Sequence, residues 1–192
     1  MKRLLPVLGI PFFLAACVAG PTALEPGVYT ADNATSVTLS EAWSKYPANM
    51  NVATKGEVLT KDGPPLNRLH FIQMSEGEAL LKTPKKVPED TPVFTVGMSE
   101  IDIVDMVTNS LLKISYSVME AENIRPVTID GQEGLRFDLT GKWENGLNVS
   151  GDVVAVPKGE KLNLVMFIAP TMHYYPTSET EVEAIIASID LP

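Results

Sequence analysis

The chain has 192 residues with 24 acidic side chains against 15 Lys and Arg, a net charge of −9. That balance lacks the basic footprint a nucleic-acid binder needs, so no nucleic-acid partner is expected. One cysteine rules out an internal disulfide, and the length suffices for a single buried core without one.

Lys2 and Arg3 open the chain, and Leu4 to Ala16 follow without a charge. The apolar stretch is short of the roughly 20 residues a spanning helix needs, and Pro6, Gly9 and Pro11 interrupt it. This is the anatomy of an export signal.

Leu14-Ala15-Ala16-Cys17 ends that signal and resembles the lipobox of bacterial lipoproteins. The resemblance implies cleavage of residues 1–16 and lipid on the Cys17 thiol. The alternative is an ordinary secretory signal, cut at an Ala-x-Ala-like site ending at Ala15 or Ala19. In the lipoprotein reading Lys2 and Arg3 are lost, leaving 13 cations against 24 acids, or −11. A chain so acidic is not drawn to anionic lipid by charge, so the membrane partner acts through Cys17 alone. Val18 is not the aspartate that retains lipoproteins in an inner membrane. The resemblance therefore implies a cell-envelope protein, on the outer membrane facing the periplasm where the cell has one.

Residues 17–34 read as the lipidated cysteine and a flexible tether, rich in Ala, Gly, Pro and Thr. Gly27 to Thr30 could add an edge strand. Residues 35–192 read as one domain. Val37 to Leu39 and Gly56 to Thr60 are strand candidates. Asp62-Gly63 is a turn, and Leu66 to Met74 returns. Glu78 to Leu81 could extend that strand beyond a kink at Gly77.

Ser99 to about Met119 reads as the long helix. Ser99 caps it, Glu100 and Asp102 favour the helix dipole, and Val104, Val107, Leu111, Ile114 and Val118 form its apolar stripe. Ile124–Ile129, the alternating Leu135–Leu139 run, Leu147–Val156 and Leu162–Ala169 then read as a four-strand meander. The last strand is apolar on both faces and so belongs at the centre. Residues 170–176 read as a loop carrying Met172, His173, Tyr174 and Tyr175. The final helix is placed near Ser178, with Glu181 completing a capping box.

This order predicts an α+β fold: an antiparallel sheet of about six to seven strands with a long central helix and a C-terminal helix. Together with the spacing of Asp62-Gly63, Gly131-x-x-Gly134, Ala169-Pro170 and Tyr174-Tyr175, it resembles the Mog1/PsbP-like fold, which includes envelope proteins of unknown role. No binding residue of that family maps onto a matching motif here.

Ser110-Leu-Leu-Lys113 matches a penicillin-binding Ser-x-x-Lys pattern, but it falls inside a helix and lacks the companion motifs. His70 and His173 are the two histidines, and neither has ligand spacing around it. No enzyme activity, cofactor or metal is expected. The expected role is a non-enzymatic binding or accessory module for an envelope partner. The ligand-binding candidates are aromatic: Trp43, Trp143, His173, Tyr174 and Tyr175. They support the alternative of a small apolar or glycan ligand in a cleft near the Tyr174-Tyr175 loop, or else simply close the ends of the core.

Overall fold

The computed structural model describes residues 20–47, 53–82 and 90–192. Residues 1–16 and Cys17 lie outside them. Strands β1 (Thr22–Leu24), β2 (Gly27–Thr30), β3 (Ser36–Leu39), β4 (Trp43–Lys45), β5 (Glu57–Thr60) and β6 (Arg68–Ser75) come first. Helix α1 (Glu100–Leu112) follows, then β7 (Tyr116–Ile129), β8 (Gln132–Trp143), β9 (Asn148–Lys158), β10 (Lys161–Pro170) and helix α2 (Tyr174–Ala187). Eight strands form one sheet in the order β1-β4-β5-β6-β10-β9-β8-β7, and β2 and β3 form a separate ribbon. Neighbours throughout the large sheet are antiparallel.

Strand β10 explains the layering. Its side chains alternate between faces. Leu162, Leu164, Met166 and Ile168 pack with Val104, Val107 and Leu111 of α1. Val165, Phe167 and Ala169 pack with Val182, Ile185 and Ile186 of α2, and with Val37 and Leu39 of the ribbon. The sheet therefore has a core on each side, and its central strand is apolar on both faces as the sequence implies.

The α+β class, the antiparallel sheet and both helices agree with the sequence, but the large sheet holds eight strands where six to seven were expected. Of the added strands in that sheet, β1 comes from the segment read as a tether and β4 from the stretch after β3. Thr22–Leu24 pairs with Trp43–Lys45, Gly27–Thr30 pairs with Ser36–Leu39, and Ala31 is buried. Pro26 and Gly27 mark a bend between two strands and not a loose linker. Buried Glu57 accepts from the Tyr29 hydroxyl and from the Asp32 amide, fastening this segment to β5.

Helix α1 starts as expected. Ser99 Oγ accepts from the Asp102 amide and the Asp102 carboxylate accepts from the Ser99 amide, a complete capping box. It ends early, at Leu112, because the chain switches to extended backbone. Tyr116 and Met119 pair with Trp143 and Gly141 of β8 and are buried there, while Val118 is exposed. The turn between β7 and β8 is Asp130-Gly131, with φ of 48° and 71°. Both residues are left-handed, as a two-residue hairpin turn demands. Beyond Gly77 the chain makes only isolated bridges, Ala79 to Val93 and Leu81 to Thr54, so β6 does not continue there.

Candidate ligand-binding site

Helix α2 begins at Tyr174 with His173 as its N-cap, so Tyr174 and Tyr175 form a first helical turn and not a loop. Pro176 is tolerated there because amides of the first turn have no helical acceptor to lose. Ser178 and Glu181 consequently face inward and are buried. They make no capping box.

Trp43 is 2% exposed on β4. Its ring meets Phe167 edge-on at 6.5 Å, and its Nε1 donates to Glu181 at 3.3 Å. Tyr175 lies 6.0 Å from the same Phe167. Burial, followed by the charge of Asp152, pushes its hydroxyl up to about 12. His173 is exposed and meets Tyr174 at 5.0 Å. Trp43, Tyr174 and Tyr175 thus share the α2 side of the sheet. Neither tyrosine lines the cavities of 450, 370 and 330 Å³. Trp143 stands apart from them, on the α1 side.

Trp143 has different company. It lines the 330 Å³ cavity with Ala53, Arg68, Ile114, Ser115 and Tyr116. The Arg68 guanidinium lies over the indole, 5.5 Å from its centre. Arg68 Nη2 donates to the Tyr116 hydroxyl at 2.9 Å, and the Tyr116 and Trp143 rings are 6.2 Å apart. Arg68 Nε is buried with no acceptor. Arg125 and Arg136 each hold a carboxylate, whereas Arg68 makes no salt bridge among the described residues. The sequence singles out Trp143 but neither Arg68 nor Tyr116 as a ligand-binding candidate. A signal was present: Arg68 falls on the inward set of β6 with His70, Ile72 and Met74, where an apolar side chain is the ordinary choice.

His70 is buried on that same face, and its Nδ1 lies 3.1 Å from Thr54 Oγ1. Burial, then the nearby Arg68 charge, pushes its pKa down to about 3. An unfolded histidine titrates near 6.5. Below that pH the unfolded chain takes up a proton that the folded chain refuses. The contribution to stability is therefore complete above about pH 6.5 and falls toward pH 3, at a slope approaching about 1.4 kcal/mol per pH unit. Unfolding in urea between pH 6.5 and 5, above the range where carboxylates titrate, should show this slope. His70→Gln should flatten it; an equal slope in the variant would assign it to other groups.

A cavity of 450 Å³ lies between the start of α1 and the β7–β8 hairpin. Met98, Ile103, Pro126 and Leu135 line it with Glu100 and Glu133. Among the described residues, no three His, Cys, Asp or Glu side chains are grouped to hold a metal ion. No described helix is long and apolar enough to cross a membrane.

No family model matches the chain. No curated protein matches it either. Solved structures do. Cyanobacterial PsbP (CyanoP) from Synechocystis sp. PCC 6803 aligns over 98% of this chain and 99% of its own, with a TM-score of 0.55 and 11% identity. The Ran-binding protein Mog1p of Saccharomyces cerevisiae aligns over 90% and 95%, with a TM-score of 0.51 and 8% identity. The fold is Mog1/PsbP-like. Identities this low carry the architecture and no residue roles, so the Mog1/PsbP-like fold of this chain does not by itself supply a site.

Proposed function

We propose that the protein is a lipid-anchored, non-enzymatic binding module of the cell envelope, held by Cys17 on the outer membrane where the cell has one. The observation that carries the binding role is the cavity at Trp143. Its polar groups, Arg68 and the Tyr116 hydroxyl, suit recognition, and among the described residues no base is hydrogen-bonded to the Ser115 hydroxyl beside them. A neighbour in fold, Mog1p, is itself named a Ran-binding protein, which supports a binding role for this architecture. The Leu14-Ala15-Ala16-Cys17 sequence supports the anchor.

A single acyl chain anchors a protein only marginally, at about 0.8 kcal/mol per buried methylene, whereas two chains hold it far longer. Cys17→Ser should therefore release a folded, soluble protein, because position 17 precedes the first strand. Mass spectrometry of the wild-type membrane fraction should find Cys17 at the mature N-terminus with diacylglycerol on its sulfur. Unmodified Cys17 with cleavage after Ala19, or a processed Cys17→Ser protein still on the membrane, would overturn the anchor. Crosslinking in intact cells should trap one recurrent envelope partner; repeated crosslinking of the anchored protein without one would overturn the accessory role.

A further inference from the structure

We infer that the cavity beside Arg68, Tyr116 and Trp143 binds a small carboxylate with an apolar, flat body. This deepens the reading of the protein as a binding module and rests on it. Three observations carry it. First, Arg68 holds a cation beside a buried core with no anion to balance it among the described residues. Uncompensated charge of this kind is costly, and anions suit it.

Second, the Arg68 guanidinium and the Tyr116 hydroxyl are donors toward a ligand, and the Ser115 hydroxyl beside them can also donate. The guanidinium has only donors. The Tyr116 oxygen already accepts from Arg68, which leaves its own hydrogen free to be given. A site offering donors selects a ligand that only accepts, and a carboxylate does so in the plane of the guanidinium fork. Third, apart from Ser115 the remaining walls are the Trp143 ring, Ile114 and Ala53. They give an apolar surface for the body of the ligand, and 330 Å³ suits a molecule of modest size.

The test uses the full-length protein in detergent, with benzoate as the probe and inorganic phosphate in a parallel arm. Trp143 fluorescence should change saturably with benzoate, and calorimetry should give the same affinity. Arg68→Gln should weaken binding at least about tenfold, and Tyr116→Phe by about three- to tenfold. Tyr116→Phe removes one oxygen from a ring that otherwise keeps its packing, so it remains informative if Arg68→Gln fails to fold. No saturable benzoate response, or affinity unchanged in Tyr116→Phe, overturns the inference. Phosphate binding as tightly as benzoate overturns the carboxylate assignment in favour of a general oxyanion site. Loss of benzoate binding with a crosslinked partner retained removes the ligand class and leaves the accessory role standing.

Discussion

Replacing Glu181 with alanine should remove about 3–5 kcal/mol of stability, a large share of the roughly 5–15 kcal/mol that holds a domain together. Glu181 on α2 is 3% exposed, and its carboxylate is an acceptor for the turn before β4. It accepts from the Ser40 amide at 3.0 Å, the Glu41 amide at 3.3 Å, Trp43 Nε1 at 3.3 Å and the Ser40 hydroxyl. One side chain thus satisfies the turn that leads into β4 and fixes the ring of a buried tryptophan. Alanine would orphan these donors and leave a cavity, and each unmade buried bond costs about 1–3 kcal/mol. Burial pushes the Glu181 pKa up, but the bonds from Ser40, Trp43 and Glu41 outweigh it and leave the group below its ordinary value. Its stabilisation is therefore present at neutral pH and lost as pH falls below the unfolded value, near 4.3. Glu181→Gln should cost less, because one acceptor oxygen remains. Urea midpoints at constant m-value measure both changes; a loss under about 1 kcal/mol for Glu181→Ala would mean that the turn finds water when the carboxylate is gone.

The second large effect is expected from Arg136→Met, also about 3–5 kcal/mol. Arg136 on β8 holds Asp152 on the adjacent strand β9 and Glu183 on α2. Asp152 is 5% exposed, and Asp138 lies directly opposite it in the sheet. Two carboxylates facing across a strand pair repel. Here each has its own arginine, Arg125 for Asp138 and Arg136 for Asp152. Without Arg136, Asp152 is a buried charge with no cation. Glu183 is 56% exposed, so Glu183→Ala should cost no more than about 1 kcal/mol. The double variant Arg136→Met, Asp152→Leu should recover most of the loss, since apolar packing can replace a buried ion pair. A double-mutant cycle showing additive losses would instead place the cost in the packing of the arginine stem.

Much of the fold is legible in the sequence because its signals are local. The Ser99 cap, the Asp130-Gly131 turn and the alternation along β10 each depend on a few neighbouring residues. What was not legible depends on distant partners. Residues 114–119 continue the helical spacing of α1, yet the chain turns at 113–115 and the β8 ladder claims it as strand from Tyr116. The Ser178–Glu181 spacing imitates a helix start, yet Glu181 is used by Ser40 and Trp43, far back in the chain. The aromatic candidates divide by face for the same reason. Nothing near Trp143 in sequence announces Arg68, which reaches it from β6 across the sheet.

The pairing of β1 with β4 sets the length of any leash. From Cys17 to Thr22 is five residues, which span no more than about 17 Å fully extended. A lipid on Cys17 would therefore keep the body of the protein close against the bilayer, hung from the outer strand of its sheet. A partner could be met only near the headgroups, or by rolling about that short hinge. Any pull on the anchor would load β1 first. Its ladder to β4 is three residues long, so it can peel away and lengthen the leash while β10, paired on both sides, stays in place.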